Sequence, residues 1–186
     1  MGLFDFFKRN KKEPENTTEE IQVLEKPDFT EIDLGKLEDY YDWTLKFGNR
    51  KINLDLNFET ESTNQSELNQ ILEFVNRIPE FDNQNRRYIK ADFEQEVSMT
   101  SDYLNFYLDE LDESELDGVI DLKNRKKSRN SLLMEQLKLI RVGIYPQASY
   151  LATFDYSIDI DGEPCNQLLV LNINQDGTLD YITWES

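Results

Sequence analysis

The chain has 186 residues, 38% of them apolar and 12% aromatic, and its 38 acidic against 20 basic side chains leave a net charge of −18. That length suits one domain with an appended tail. The charge opposes nucleic acid as a main partner, because phosphate binding needs a positive surface, and it favours solubility or a basic protein partner. There is no histidine and a single cysteine, Cys165. This excludes Ser-His-Asp and Cys-His nucleophile systems, the commonest metal ligand and any intramolecular disulfide.

In Met1–Lys12, Leu3, Phe4, Phe6 and Phe7 precede Lys8, Arg9, Lys11 and Lys12. A short helix here would carry an apolar face and a basic end. It would rest weakly on an anionic membrane or dock on protein. The opening resembles a myristoylation signal, but Phe6 stands where that signal needs Ser or Thr. No stretch approaches the ~20 apolar residues of a membrane span. No secretory signal is visible, so the expected compartment is the cytoplasm. Residues 13–28 are polar and broken by Pro14 and Pro27, which reads as a linker with one short ordered piece at Ile21–Leu24. Residues 29–186 then form the domain.

Tyr40–Phe58 has the pattern of a hairpin. With Gly48-Asn49 as a two-residue loop, Phe47 pairs with Arg50, Leu45 with Ile52, Trp43 with Leu54 and Tyr41 with Leu56. Asn53, Asp55 and Asn57 fall on the other face. Three helices follow. The first is capped by Asn64 and Glu67, carries Leu68, Ile71, Leu72 and Val75 on one stripe, and stops at Pro79. The second runs over about Asn83–Glu96 with Tyr88, Ile89 and Phe93. The third starts near Thr100 with Tyr103, Phe106, Tyr107 and Leu111. A short fourth covers Ser131–Gln136.

The C-terminal stretch reads as a four-strand meander: Leu137–Tyr145, Tyr150–Asp161, Gln167–Asn174 and Thr178–Trp184. Phe154, Tyr156, Ile158 and Ile160 alternate with polar or acidic residues, the period of a half-buried strand. Leu168–Leu171 is continuously apolar, as for a strand covered on both faces. The turn at Asn174–Thr178 allows two registers. A two-residue Asp-Gly loop pairs Leu171 with Ile182 and Leu169 with Trp184. A three-residue loop with a glycine bulge pairs Leu168 with Trp184 and Val170 with Ile182. The expected fold is α+β: a mostly antiparallel sheet, made of the N-terminal hairpin and this meander, with about three helices on one face.

The chemistry-bearing patterns are sparse. Asp109–Asp117 holds six acids in nine residues but lacks the glycine and spacing of an EF-hand, so it reads as a solvated segment. Asn172–Gly177 imitates half of a calcium loop and reads as a hairpin turn. Lys123, Arg125, Lys126, Lys127 and Arg129 form a basic loop beside acids. Cys165 follows Pro164 with no cation marked beside it. There is no Walker loop or GxGxxG motif. Neither a catalytic residue, a metal ligand nor a cofactor is assigned. The alternation does place Asp155, Asp159, Asp161 and Glu163 in a row on one strand face. Such a row steers a basic protein.

Arg141–Pro146, Phe154–Tyr156, Gln167–Val170, the Asn174–Gly177 turn and the ending Tyr181–Ser186 resemble a family of uncharacterised bacterial proteins, classed as a domain of unknown function, over residues 35–186. The resemblance transfers no activity. The expected function is a non-enzymatic protein-binding module, for instance an immunity-like inhibitor of a basic protein, using the acidic row. The alternatives are a peripheral-membrane adaptor using Leu3, Phe4, Phe6, Phe7, Lys8 and Arg9, and a carboxylate- or metal-dependent enzyme.

Overall fold

The computed structural model describes residues 23–185. Strands β1 (Tyr40–Phe47) and β2 (Arg50–Asn57) form the expected hairpin, in the register that the Gly48-Asn49 loop and the apolar pairs specify. Helices α1 (Gln65–Asn76), α2 (Ile78–Phe93), α3 (Met99–Glu110), α4 (Glu113–Val119) and α5 (Arg129–Met134) follow. The chain then forms β3 (Lys138–Ile144), β4 (Tyr150–Ser157), β5 (Asp159–Ile160), β6 (Glu163–Pro164), β7 (Leu168–Asn174) and β8 (Leu179–Glu185). The fold is α+β. Its six-stranded sheet has the order β1-β2-β3-β4-β7-β8, and β5 and β6 form a separate two-stranded ribbon.

All neighbours in the large sheet are antiparallel except β2 and β3, which run parallel with Leu54 beside Val142 and Leu56 beside Ile144. Parallel neighbours need a long crossover. Here the whole helical region supplies it. The N-terminal hairpin is thereby joined to the C-terminal strands in one sheet.

One face of the sheet is apolar. Leu54, Leu56, Val142, Ile144, Phe154, Tyr156, Leu169 and Leu171 are fully buried there. Phe154 lies against Phe74 of α1 and Phe81 of α2, at ring-centroid distances of 6.2 and 6.0 Å. Tyr103 of α3 meets Trp184 of β8 at 6.5 Å, and the Tyr103 and Tyr107 hydroxyls both donate to the Gln167 carbonyl. These contacts put α1, α2 and α3 on the same side of the sheet.

Several local details differ from the sequence expectations. Pro79 stops α1 but also sits in the first turn of α2, which begins at Ile78 rather than near Asn83. The first turn has no intrahelical use for the missing N–H, so proline is tolerated there. The acidic stretch Asp109–Asp117 is not simply a solvated segment. Asp112 accepts from the Ser114 and Glu115 amides, and Glu115 reaches back to the Asp112 amide. This capping box starts α4, and Leu116 is buried beneath it. The basic loop is partly neutralised by acids, as expected, with Lys127 paired to Glu135 and Arg129 to Glu113.

The β7–β8 turn combines the two registers. Ile173 pairs with Leu179, and the Asn174 amide donates to the Thr178 carbonyl to close a three-residue loop, in which Gly177 has φ +83 and its amide donates to the Asn174 carbonyl. A bulge then shifts the ladder by one residue, so Leu171 faces Ile182 and Leu169 faces Trp184. The bulge restores apolar pairing on the core face.

At the start of the described chain, the Val23 carbonyl accepts from the Gly48 amide, and the Glu25 amide donates to the Lys46 carbonyl. Residues 23–25 therefore lie along the outer edge of β1. Leu24 bridges Phe47, inside the short ordered piece expected at Ile21–Leu24. The membrane or docking residues Leu3, Phe4, Phe6, Phe7, Lys8 and Arg9 lie outside the described residues. Among the described residues no helix is long and apolar enough to cross a membrane.

Because Phe154 is fully buried between two helices and the sheet, Phe154→Ala removes contacts that only a large ring makes. The expected loss is about 3–5 kcal/mol of unfolding free energy, read from the urea midpoint.

Candidate functional site

The second face of the sheet is polar. Its centre is Arg141 on β3, placed there by the parity of the strand: Val142 and Ile144 point into the core, so Arg141, Gly143 and Tyr145 point away. Neighbouring strands bring Asp55 and Asp155 to either side. The guanidinium donates from Nη2 to Asp55 Oδ2 at 2.8 Å, and its Nε lies 2.6 Å from Asp55 Oδ1, so the ion pair is two-pronged. Nη1 donates to Asp155 Oδ2 at 2.8 Å, and Nη2 also donates to the Tyr145 hydroxyl at 3.0 Å. Asn57 Nδ2 donates to Asp55 Oδ2 at 2.7 Å.

Both carboxylates are buried, Asp55 at 1% exposure and Asp155 at 4%, while a third of the Arg141 side chain remains open. Burial pushes the Asp155 carboxyl up from the ordinary carboxylate range, against the pull of the Arg141 hydrogen bond. For Arg141, burial works to lower the pKa, but hydrogen bonds to Asp155, Asp55 and Tyr145 together raise it. The arginine stays charged, and the trio carries one more acid than base.

Gly143 makes room for this arrangement. A Cβ there would lie 2.8 Å from Arg141 Nη2 and 2.9 Å from Thr153 Oγ1. Thr153 Oγ1 is buried and has no hydrogen-bond partner among the described residues. Around the trio stand Asp42, directly opposite Asp55 on β1, and Glu185 at the end of β8. Four tyrosines border it. Tyr145 and Tyr150 pack edge to face at 5.2 Å, and Tyr40 and Tyr181 are 54% and 50% exposed, enough to meet a partner. Burial and nearby acids raise the Tyr40 hydroxyl pKa. Burial and the neighbouring tyrosines raise that of Tyr150. The Tyr40 and Tyr150 hydroxyls therefore stay protonated near pH 7 and can act as donors.

The four acids expected in one row do not share a face. β4 ends at Ser157, and Asp161-Gly162, with φ of 55 and 87, makes a tight turn between β5 and β6. Positive φ at both residues is the signature of a twisted two-residue hairpin turn. Asp155 is thus buried in the sheet, where it pairs with Arg141. Asp159 is paired with Lys138 at 2.6 Å. Asp161 and Glu163 are exposed on the small ribbon. Asp159 and Asp161 line a separate hollow of about 270 Å³ with Glu115 and Lys138. Asp55 was legible only as the polar side of the first hairpin. Nothing in the sequence joined it to Asp155, because the two meet through Arg141, which lies 86 residues from Asp55 and reaches it across a parallel pairing.

A second polar cluster lies on the core side. Asp82 of α2 accepts from the Tyr156 hydroxyl at 2.9 Å and faces Arg86 and Arg50 at 3.4 and 3.8 Å. It ties α2 to β4 and to the start of β2. Burial raises the Tyr156 pKa and lowers that of Arg50. Cys165 is a free, half-buried thiol whose pKa burial raises. Among the described residues no three His, Cys, Asp or Glu side chains converge to hold a metal ion.

Removing Arg141 leaves two buried carboxylates facing each other. Arg141→Leu is expected to cost about 3–5 kcal/mol at pH 7. Asp155→Asn should cost less, because the two-pronged pair with Asp55 survives. The sign of the pH dependence separates the two. In Arg141→Leu, Asp155 keeps the upward push of burial and loses the Arg141 hydrogen bond that opposes it, so its folded pKa lies further above the unfolded value and the penalty is present at pH 7. The penalty shrinks as pH falls through that raised value. Urea midpoints from pH 7 to pH 5 read this directly.

No family model matches the chain, and comparison with curated proteins and with solved structures finds no match. These comparisons lend no support to the resemblance of residues 35–186 to a domain of unknown function.

Proposed function

We propose that the chain is a non-enzymatic, cytoplasmic protein-binding module whose open sheet face receives a basic protein. The observation that carries this reading is the make-up of that face: Asp42, Asp55, Asp155 and Glu185 around Arg141, bordered by Tyr40, Tyr145, Tyr150 and Tyr181. Acids in excess on a chain of net charge −18 speed the encounter with a basic surface. Exposed tyrosines supply rigid contact area with a polar tip, and their rings accept lysine or arginine side chains. Arg141 already spends its donors on Asp55, Asp155 and Tyr145, which preorganises the centre of the face. Covering a basic protein's working surface, as an immunity-like inhibitor does, requires only such binding. The surface moves from the row Asp155, Asp159, Asp161 and Glu163 to the sheet face, which retains Asp155 alone of those four.

The test is a pull-down from native lysate with tagged full-length chain, eluted by a salt gradient. A stoichiometric basic protein should leave at moderate salt. Tyr40→Ala combined with Tyr181→Ala should weaken its capture ~30-fold, the size of a hot-spot loss. Asp42→Lys with Glu185→Lys should lower the salt needed for elution. Asp161→Lys with Glu163→Lys should leave capture intact. If only the last pair releases the partner, the ribbon is the binding surface and the sheet-face reading fails. Absence of any partner at low salt defeats it as well.

A further inference from the structure

A cleft of about 590 Å³ opens between α1, the start of α2 and the β3–β4 and β7–β8 turns. Its floor is formed by the edges of Ile71, Phe74, Phe81 and Leu151, and its rim carries the acids Glu67, Glu73 and Asp176. Among the described residues Arg77 is the one basic residue lining it. That guanidinium is already engaged, by Glu80 Oε2 at 2.9 Å and by the Phe81 ring, whose centroid lies 5.2 Å from it. The cleft therefore offers an apolar base under an acidic rim.

We propose that this cleft is the docking site of residues 3–12 of the same chain. Those residues have the complementary chemistry. Leu3, Phe4, Phe6 and Phe7 are large and apolar, and Lys8, Arg9, Lys11 and Lys12 are basic. The described residues also begin close to the cleft. Val23 lies in a groove with Val75, Asn76 and Pro79, at the α1–α2 corner whose Arg77 walls the cleft. Along α1 a rise of ~1.5 Å per residue puts Glu67 about 12 Å from Val75. Residues 13–22, extended at ~3.3–3.6 Å each, span up to about 35 Å, so the tether reaches every wall. A short tether holds its end at an effective concentration on the order of millimolar. An intrinsic dissociation constant near ~1 mM then fills the cleft about half the time. Modest contacts suffice, which matters because the floor residues are already largely covered.

The experiment is paramagnetic relaxation on full-length chain with Cys165→Ser and a nitroxide at Asn10→Cys. The amides of Gln70, Glu73 and Gly177 should lose signal several-fold more than those of Tyr40 and Tyr181. Gln70→Lys with Glu73→Lys, two exposed positions on α1, should abolish that difference while the rest of the amide spectrum is unchanged. Uniform or absent broadening overturns the proposal, and so does broadening that survives the charge change. Mixing labelled chain with isotope-enriched, unlabelled chain tests the source. Broadening of cleft amides in that mixture assigns the occupant to a second copy and overturns docking within one chain. Broadening that appears only with phosphatidylserine vesicles assigns the segment to lipid and overturns it too.

Discussion

The parallel seam between β2 and β3 is the junction on which the sheet depends. Among the described residues it is the only non-antiparallel pairing in the large sheet, and it joins two hairpin systems that local sequence would form separately. Apolar pairs such as Leu54 with Val142 hold its core side. On the other side Arg141 reaches across the seam to Asp55 and across the next ladder to Asp155, so one guanidinium links three strands. Asp42 stands directly opposite Asp55, and like charges so placed repel. The arginine offsets that repulsion. Gly143 gives it space, since any side chain there would press on the guanidinium and on Thr153.

The helical layer is held by a different balance. Phe74, Phe81 and Phe154 meet in one aromatic cluster, and burial of such rings is the larger share of the stabilisation. Asp82 adds direction rather than bulk. Its bonds to Tyr156 and Arg86, with Arg50 close by, fix how α2 lies across β4 and the hairpin. A buried acid without those partners would cost several kcal/mol, about 3–5 when one member of a pair is lost. The two charged centres, Arg141 on the open face and Asp82 on the covered face, thus pin the same sheet from opposite sides.

That division of labour bears on the proposed function. The covered face has spent its aromatic side chains on the core, whereas the open face keeps Tyr40 and Tyr181 half exposed around a rigid ionic centre. A flat, preorganised, acidic and tyrosine-bordered surface loses little entropy when a partner arrives. The cleft beside α1 differs in kind, being concave and rimmed by acids rather than bordered by tyrosines.

Much of the fold was legible from local pattern. The Gly48-Asn49 loop and the alternation around it settled the first hairpin to the residue, because a slip of one would have turned Leu45, Ile52 and Leu54 to solvent. The α1 stripe, the α3 aromatics and the C-terminal strands were legible for the same reason. Periodicity failed where a turn residue broke it without breaking the alternation: Ile158 and Ile160 continue the apolar beat of β4, yet Asp161-Gly162 folds that segment into a ribbon. The Asp112 capping box was present in the sequence but masked by the density of acids around it. The sequence by itself determined the first hairpin, the first three helices, the main C-terminal strands with their apolar faces, and the absence of histidine chemistry, all of which depend on near neighbours or on composition. Only the tertiary structure decided that β2 lies beside β3, and with it that Asp55, Arg141 and Asp155 meet. That contact spans a crossover of five helices, and strand parity states which way a side chain points but not which distant strand it faces.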